Sequence, residues 1–235
     1  MKTIGLVGGM SWESTVEYYR ILNEEVARRL GGLHSAEILM TSVDFGEVEP
    51  LLRAGRWEEI GERLAARARM LEAGGAGCVL LCTNTMHKVA HRIQAGLTVP
   101  FLHIADAAGE ALRSKGVSLA GLLGTRATME EDFYREVLQS RYGLEVLVPP
   151  EEERGRVHDV IFDELCRGIF KDESRAEYAR IIQGLRERGA EGVVLGCTEI
   201  PLLVREEDVS VPLFDTTRLH ALRAVDFALE EGASS

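Results

Sequence analysis

The chain has 235 residues, of which 46% are hydrophobic and 28% charged, and 38 acidic side chains face 27 basic ones. These values are typical of a soluble globular protein with one large α/β unit or two modules, and no apolar run approaches the roughly 18 residues of a membrane helix. The net charge of −11 argues against nucleic acid and anionic membranes as partners, although a local pocket can still bind a small anion.

The N-terminal residues and the cysteines indicate where the chain functions. Residues 1–9, MKTIGLVGG, are typical of a first strand rather than of a signal peptide. The spacing of the four cysteines fits neither a disulfide framework nor a zinc site, and the six histidines do not cluster. We therefore expect a reduced, cytoplasmic protein without a metal.

In the first half of the chain, apolar runs alternate with segments of helical periodicity. Lys2–Val7 predicts a strand, and Gly8–Ser11 a loop before an amphipathic helix over Trp12–Leu30. The remaining predicted elements are, in order, a strand at Ala36–Val43, a loop from Asp44 towards Arg53, a helix over 60–71, a buried strand at Cys78–Leu81, a short helix over 86–93 and a strand at Pro100–Ile104.

The second half repeats this alternation. Thr128–Glu131 has the pattern of a capping box and predicts a helix over Met129–Arg141. The other predicted elements are strands at Leu119–Leu123, Leu144–Val148, Val193–Gly196 and Val211–Phe214, a loop over Pro149–Arg156, and helices at Arg156–Cys166, Ser174–Arg188 and Thr217–Glu230. Such alternation predicts α/β architecture with parallel sheets covered on both faces.

Three pairs of similar segments indicate that the two halves of the chain are similar modules. Gly189–Glu199 aligns with Gly75–Thr85 at an offset of 114. The other two pairs are Ile4–Gly9 with Ala120–Thr125 and Val99–Leu102 with Val211–Phe214, at offsets of 116 and 112. The repeat predicts modules over residues 1–98 and 99–212. If they face each other across a pseudo-twofold axis, Thr83 and Cys197 lie on opposite walls of one cleft.

Cys197 is the strongest candidate for chemistry. A free cysteine is often only a small buried hydrophobe, but Cys197 follows Gly196 at a strand end, where peptide N–H groups can stabilise a thiolate. Cys78 and Cys166 lie in apolar segments and are predicted to be core residues. Cys82 precedes Thr83 by one residue, so it should point to the opposite side of the strand.

Short polar side chains follow the predicted strands. Thr83, Asn84, Thr85 and Thr198 can cap the next helix, and the same loop positions can bind a carboxylate or phosphate. Gly8-Gly9 lacks a full G-x-G-x-x-G dinucleotide motif and the Lys-Ser/Thr of a P-loop. Four histidines have no partner that the sequence can assign and are predicted to be structural, namely His34, His87, His103 and His220.

Together these motifs resemble the aspartate/glutamate racemase family of cofactor-independent racemases, in particular its bacterial broad-specificity and L-aspartate/glutamate branch. The resemblance covers essentially the whole chain and rests on Ile4–Ser11, Thr83–His87, Gly124-Thr125 and Gly196–Glu199. It implies two facing α/β modules, the first completed by the C-terminal helix within 213–235, an assembly that is commonly a dimer, and catalysis without pyridoxal phosphate.

The resemblance also implies a two-base mechanism, with one acid/base group on each face of the substrate carbon. Family members usually have two cysteines there; in this chain the positions are Cys197 and Thr83, and a hydroxyl is a poor base unless a neighbour activates it. The implied substrate-binding residues near the reacting carbon are Met10, Ser11, Asn84, Thr85, Thr125 and Thr198. The candidates for a distal carboxylate are Arg53, Arg126 and Arg167.

We therefore predict an isomerase that racemises aspartate, glutamate or other polar amino acids by removing and returning the α-proton. One alternative is a single-cysteine decarboxylase or isomerase of a small dicarboxylic acid, because one thiol suffices when only one face is protonated. The other is an amino-acid-binding protein that has lost turnover.

Overall fold

The computed structural model describes residues 1–230. Residues 231–235, which hold the Gly232–Ser235 tail and the end of the predicted 213–235 segment, lie outside the described residues. The described chain forms two units, Met1–Ile104 together with the chain from His220, and Ala105–Leu219. Across residues 1–230, every helix is too short or too polar to span a lipid bilayer.

The first unit is a four-stranded parallel sheet flanked by helices. Its strands are β1 (Ile4–Gly8), β2 (Ile38–Ser42), β3 (Cys78–Leu81) and β4 (Phe101–Leu102), in the order β2-β1-β3-β4. Its helices are α1 (Trp12–Leu30), α2 (Phe45–Arg53), α3 (Trp57–Ala73) and α4 (Ala90–Gln94), and a 3₁₀ helix covers Thr85–Val89. The first unit extends past the predicted boundary at residue 98 because β4 pairs with β3.

The second unit has the same strand order, β6-β5-β7-β8, again all parallel. Its strands are β5 (Leu119–Gly124), β6 (Glu145–Leu147), β7 (Gly192–Gly196) and β8 (Leu213–Asp215). The helices that follow β4 are α5 (Ile104–Ser114), α6 (Arg126–Glu130), α7 (Asp132–Tyr142), α8 (Glu151–Asp163), α9 (Asp172–Glu187), α10 (Ile200–Leu203) and α11 (Thr216–Leu229), with 3₁₀ helices at Leu165–Arg167 and Glu206–Asp208. The predicted α/β architecture with two similar parallel sheets is confirmed.

The central strands of the first sheet are buried on both faces, as their continuous apolar sequence requires. Val79 and Leu81 of β3 pack with the core of α3, whereas Leu80 and Cys82 pack with the core formed by α1 and α11. Cys82 is completely buried there, one residue beyond the end of β3. Cys78 is also completely buried, whereas Cys166 is only partly buried beside the core of the second unit.

Three local predictions were wrong. The segment after Asp44 is α2 rather than a loop, because the Asp44 side chain accepts from the Gly46 N–H and caps the helix. Residues 151–156 are not a loop either: they begin α8, directly after Pro150, with three glutamates in the first turn that favour a helix N-terminus. The Thr128 capping box is absent, since Thr125 caps α6 and the helix breaks at Glu131 before α7.

Two buried histidines are held neutral inside the first unit. His220 on α11 donates from Nε2 to the Leu102 carbonyl and accepts at Nδ1 from the Tyr18 hydroxyl, at 2.7 and 2.9 Å. His87 accepts at Nε2 from the Ile104 N–H, so its Nδ1 donates to the Thr83 carbonyl. Burial, reinforced by the repulsion that a protonated His87 would exert, lowers the pKa of His220 to about 3. Burial, reinforced by the same kind of repulsion from His103, lowers the pKa of His87.

These histidines predict that mild acid destabilises the first unit. Because an unfolded histidine has a pKa near 6.5, the unfolded chain binds more protons than the folded chain below that pH. Stability is therefore complete above pH ~6.5 and is lost as the pH falls towards 3. For His220 alone we expect the free energy of unfolding to fall by about 2 kcal/mol between pH 6.5 and 5, measured by denaturant unfolding.

The matched control uses an exposed histidine. His220→Gln should reduce the slope of stability against pH, even though it also lowers stability at pH 7, whereas His34→Gln should leave the slope unchanged because His34 is exposed. Equal slopes in the wild type and in His220→Gln would contradict this account.

Candidate active site

The glycine loop after β1 is fixed by contacts to its own helix and to β2. Thr15 Oγ1 accepts from the Gly9 N–H at 2.9 Å and donates to the Ser11 carbonyl at 2.8 Å. A Cβ on Gly8 would lie 2.4 Å from Thr15, and Gly9 has φ +95°, so neither position accommodates a side chain. Met10 and Ser11 are buried, and Ser11 caps α1.

A second polar loop follows β3, the strand that pairs with β1. Thr83, Asn84 and Thr85 are all buried, and they follow Leu81, which is paired with Val7. The carboxyl ends of parallel strands meet at one edge of a sheet, so this loop and the Met10–Ser11 loop share an edge. The structure therefore brings five of the predicted site residues to the same edge of the first sheet.

The surroundings of Thr83 bear directly on its chemistry. His87 Nδ1 donates to the Thr83 carbonyl at 2.7 Å and fixes the backbone there. Within the described part of the chain, no side chain hydrogen-bonds to the Thr83 hydroxyl. Among residues 1–230, the hydroxyl is therefore not hydrogen-bonded to a base that could activate it.

In the second unit, a pair of glycines positions the other half of the predicted site. Gly124 at the end of β5 is paired with Gly196 at the end of β7, and a Cβ on Gly124 would lie 2.7 Å from the Gly196 carbonyl. Thr125 and Cys197 follow these glycines directly and are both buried. The close approach of the two strands therefore places both residues at the same edge of the second sheet.

Cys197 forms a compact network with the two residues that follow it. Its thiol donates to Glu199 Oε2 at 2.9 Å, and the Thr198 hydroxyl donates to both carboxylate oxygens of Glu199 at 3.1 Å. All three side chains are at most 6% exposed. The carboxylate is thus held against the thiol in a site with little access to water.

This network sets the protonation state of the resting thiol. Burial raises the pKa of Cys197 well above its ordinary range, and the charge of Glu199, the nearby Cys166 and the hydrogen bond to the Glu199 carboxylate raise it further. The peptide N–H of Glu199 favours the thiolate, as expected for a loop at a strand end, but these effects outweigh it. Cys197 is therefore protonated at rest, with a carboxylate placed to accept its proton.

The three candidate arginines lie in exposed positions. Arg53 ends α2, is 77% exposed and pairs with Glu49, while Arg167 is 64% exposed and lies 3.8 Å from Asp163. Arg126 begins α6 with an exposed side chain, and a Cβ on Gly155 would lie 2.9 Å from its guanidinium. None of these contacts places an arginine next to Cys197.

Glu199 is a functional candidate that the sequence indicates only as part of the Gly196–Glu199 motif. Its signal is the Cys-Thr-Glu spacing directly after a strand end, where the chain turns and brings residues i and i+2 to the same side. A thiol beside a buried carboxylate can transfer protons in either direction. Within residues 1–230, His, Cys, Asp and Glu side chains form no group of three or more that could hold a metal ion.

A protein-family model matches the chain over residues 7–224 and describes the Asp/Glu/Hydantoin racemase family. Among curated proteins, a glutamate racemase from Ralstonia nicotianae is 27% identical over 173 residues, which are 68% of this chain and 53% of that protein. The chain thus spans about half the length of that curated relative.

Two solved structures are similar over nearly the whole chain. A crystal structure from Yersinia pestis, assigned as a candidate Asp/Glu racemase, has a TM-score of 0.91 at 49% identity and covers 98% of this chain and 100% of its own. An aspartate racemase homologue from Pyrococcus horikoshii has a TM-score of 0.84 at 37% identity, with the same coverage. With the family match over residues 7–224, these likenesses show that the chain belongs to the Asp/Glu/Hydantoin racemase family.

Proposed function

We propose that this chain is a cofactor-independent amino-acid racemase that acts on aspartate, glutamate or another polar amino acid. The observation that carries the proposal is the Cys197 thiol, which is held at a strand end and donates to the buried Glu199 carboxylate. Membership of the racemase family supports it. Pyridoxal phosphate and metal take no part in the proposed reaction.

The first step removes the α-proton. The Cys197 proton moves to Glu199, and the resulting thiolate takes the proton from Cα, leaving a carbanion delocalised into the carboxylate. Such a carbanion forms only when hydrogen-bond donors stabilise the enolate oxygens. We assign that role to Asn84, Thr85 and Thr125, while Thr198 holds Glu199 in place.

The second step returns a proton to the opposite face of the carbanion. We assign this proton to the Thr83 hydroxyl. The Thr83 alkoxide then takes a proton from solvent water and Glu199 releases one, which restores the resting protonation of both groups. Because the resting Cys197 is protonated, it is ready to donate a proton, whereas Thr83 has no activating neighbour among the described residues and removes one slowly. The two faces of the substrate are therefore served by groups of unequal strength.

Proton exchange in deuterated water tests the function directly. Each enantiomer of aspartate and glutamate is incubated with the protein, and loss of the α-proton NMR signal is followed together with chirality. Exchange with inversion supports the racemase. Exchange without inversion indicates a one-base enzyme, and binding without exchange indicates an amino-acid-binding protein; each of these two outcomes rejects the racemase.

Glu199→Gln tests the proposed proton acceptor. The amide keeps the size of the side chain but cannot take up the thiol proton, so we expect exchange at pH 8 to fall by about 10²-fold. Loss of the carboxylate charge should also lower the pKa of Cys197, which thiolate absorbance in the ultraviolet measures.

The matched control is Glu164→Gln. Glu164 is also a buried carboxylate of the second unit, but it accepts from Ser174 and Lys171 rather than from the thiol. Its replacement should lower stability and leave the exchange profile unchanged. A normal rate and profile in Glu199→Gln would show that Glu199 only shapes the loop.

A homodimer and a cytoplasmic location remain predictions from family resemblance and cysteine usage. Light scattering coupled to gel filtration measures the first: a mass of about twice the 25.9 kDa of one chain is expected. A monomer at micromolar concentration would contradict the dimer without affecting the proposed reaction.

A further inference from the structure

The hydroxyl groups at the carboxyl edge of the second sheet are nearly all engaged. Thr198 donates to Glu199, Thr125 lies 3.2 Å from the Thr128 hydroxyl, and Thr216 donates to the Leu195 carbonyl at 2.8 Å. Thr217 differs from these residues. Its side chain is 2% exposed, and its hydroxyl has no hydrogen-bond partner among residues 1–230.

Strand pairing places Thr217 at the sheet edge from which the reactive cysteine also extends. Leu195 of β7 is paired with Asp215 of β8, and Cys197 and Thr217 each lie two residues beyond that pair. The bond from Thr216 to Leu195 ties the first residue of α11 to the end of β7. Thr217 therefore belongs to the same sheet edge as Cys197.

Hydrogen bonds among residues 1–230 give the Thr217 hydroxyl no structural role. Asp215 caps α11 by accepting from the Arg218 N–H at 3.1 Å, so the cap does not need Thr217. Burying a hydroxyl without a partner is unfavourable, and valine would fill the same volume without that cost. A ligand that supplies an acceptor would offset the cost only while it is bound.

We propose that the Thr217 hydroxyl donates a hydrogen bond to a carboxylate oxygen of the bound amino acid and so positions the substrate beside Cys197. The inference rests on the proposed function, since an amino-acid substrate brings the carboxylate. It adds a substrate-binding residue that no motif marks, from the first turn of α11, the helix that follows β8.

Thr217→Val tests the proposal because it removes the hydroxyl and keeps the shape. We expect the KM for the better substrate among aspartate and glutamate to rise about 10- to 100-fold, as for loss of a hydrogen bond to a charged group, with a smaller change in kcat. The thermal midpoint of the ligand-free protein should stay the same or rise. Thr217→Ser should restore the KM.

Thr216→Val is the matched control at the neighbouring position. It removes the bond to Leu195, so it should lower the thermal midpoint of the ligand-free protein. If Thr217→Val lowers the midpoint as much as Thr216→Val, the Thr217 hydroxyl is structural and the proposal is overturned. An unchanged KM in Thr217→Val overturns it as well.

Calorimetric titration with aspartate and glutamate separates this inference from the proposed function. If the wild type binds either amino acid without α-proton exchange, the racemase proposal fails, and weaker binding in Thr217→Val still supports the role of Thr217. If the wild type catalyses α-proton exchange and Thr217→Val binds the amino acid as tightly as the wild type, only the role of Thr217 is rejected. A wild type that neither binds nor exchanges rejects both.

Discussion

Replacing Cys197 with serine is expected to lower α-proton exchange by about 10³-fold or more, because a hydroxyl is a far weaker acid than a thiol and cannot pass its proton to Glu199 at neutral pH. The serine is smaller than the cysteine but can keep the hydrogen bond to Glu199, so the fold should persist. Exchange of each enantiomer in deuterated water gives the rate, and circular dichroism checks the fold.

Two other cysteines provide the controls. Cys78 is completely buried in β3, so Cys78→Ser should lower stability while the rate per folded molecule stays close to that of the wild type. Cys166 is only partly buried, so Cys166→Ser should lower stability less than Cys78→Ser does. Near-normal exchange in Cys197→Ser would reject Cys197 as the proton-transferring group.

Thr83→Cys has the second largest expected effect, and in the opposite direction. A thiol at this position should supply the second face of the substrate with a group matched to Cys197, so net inversion should rise by about 10-fold or more, chiefly from the enantiomer that the wild type handles poorly. Polarimetry or chiral chromatography measures inversion from each enantiomer separately.

The equilibrium limits the form that any asymmetry can take. The two enantiomers have equal free energy, so kcat/KM must be equal in the two directions of a simple reversible cycle. If Thr83 is a weak acid/base group, kcat and KM must differ between the two directions by the same factor. The weakness can also appear as slow inversion together with faster α-proton exchange of one enantiomer, or as a side reaction such as elimination. We expect L-aspartate or L-glutamate to be the favoured enantiomer, from the family branch that the chain resembles.

A variant with unaltered behaviour would also be informative. If Thr83→Cys leaves inversion and exchange unchanged from both enantiomers, Thr83 is not the opposing acid. The single-cysteine decarboxylase and the amino-acid-binding protein then become the leading interpretations.

The sheets could be predicted from the sequence because their strands are short apolar runs between turn residues. The internal repeat also predicted two similar modules, and Gly75–Thr85 and Gly189–Glu199 lie at equivalent places in two sheets of the same strand order. Helix starts were harder to predict. Residues 151–156 are so charged that they suggest a loop, yet negative charge in a first turn stabilises a helix.

The candidate site could be predicted only in part. Strand ends marked Thr83 and Cys197, because polar residues that follow a buried strand must lie at the sheet edge. The bond from Cys197 to Glu199 depends on how the chain turns after β7, and the burial of Thr217 depends on the path of α11, which sequence periodicity does not determine. The exposure of Arg53 and Arg167 likewise depends on tertiary packing.

The course of α11 has a consequence for synthesis of the chain. The helix begins in the second unit at Thr216, but from His220 onward it belongs to the first, where Ala221, Ala224 and Val225 complete the core beside Tyr18. Residues 1–104 therefore leave the ribosome before the α11 residues that complete their core, while Ala105–Leu219 is continuous. Translation must pass Val225 before the core of the first unit closes, so the segment made second can fold first.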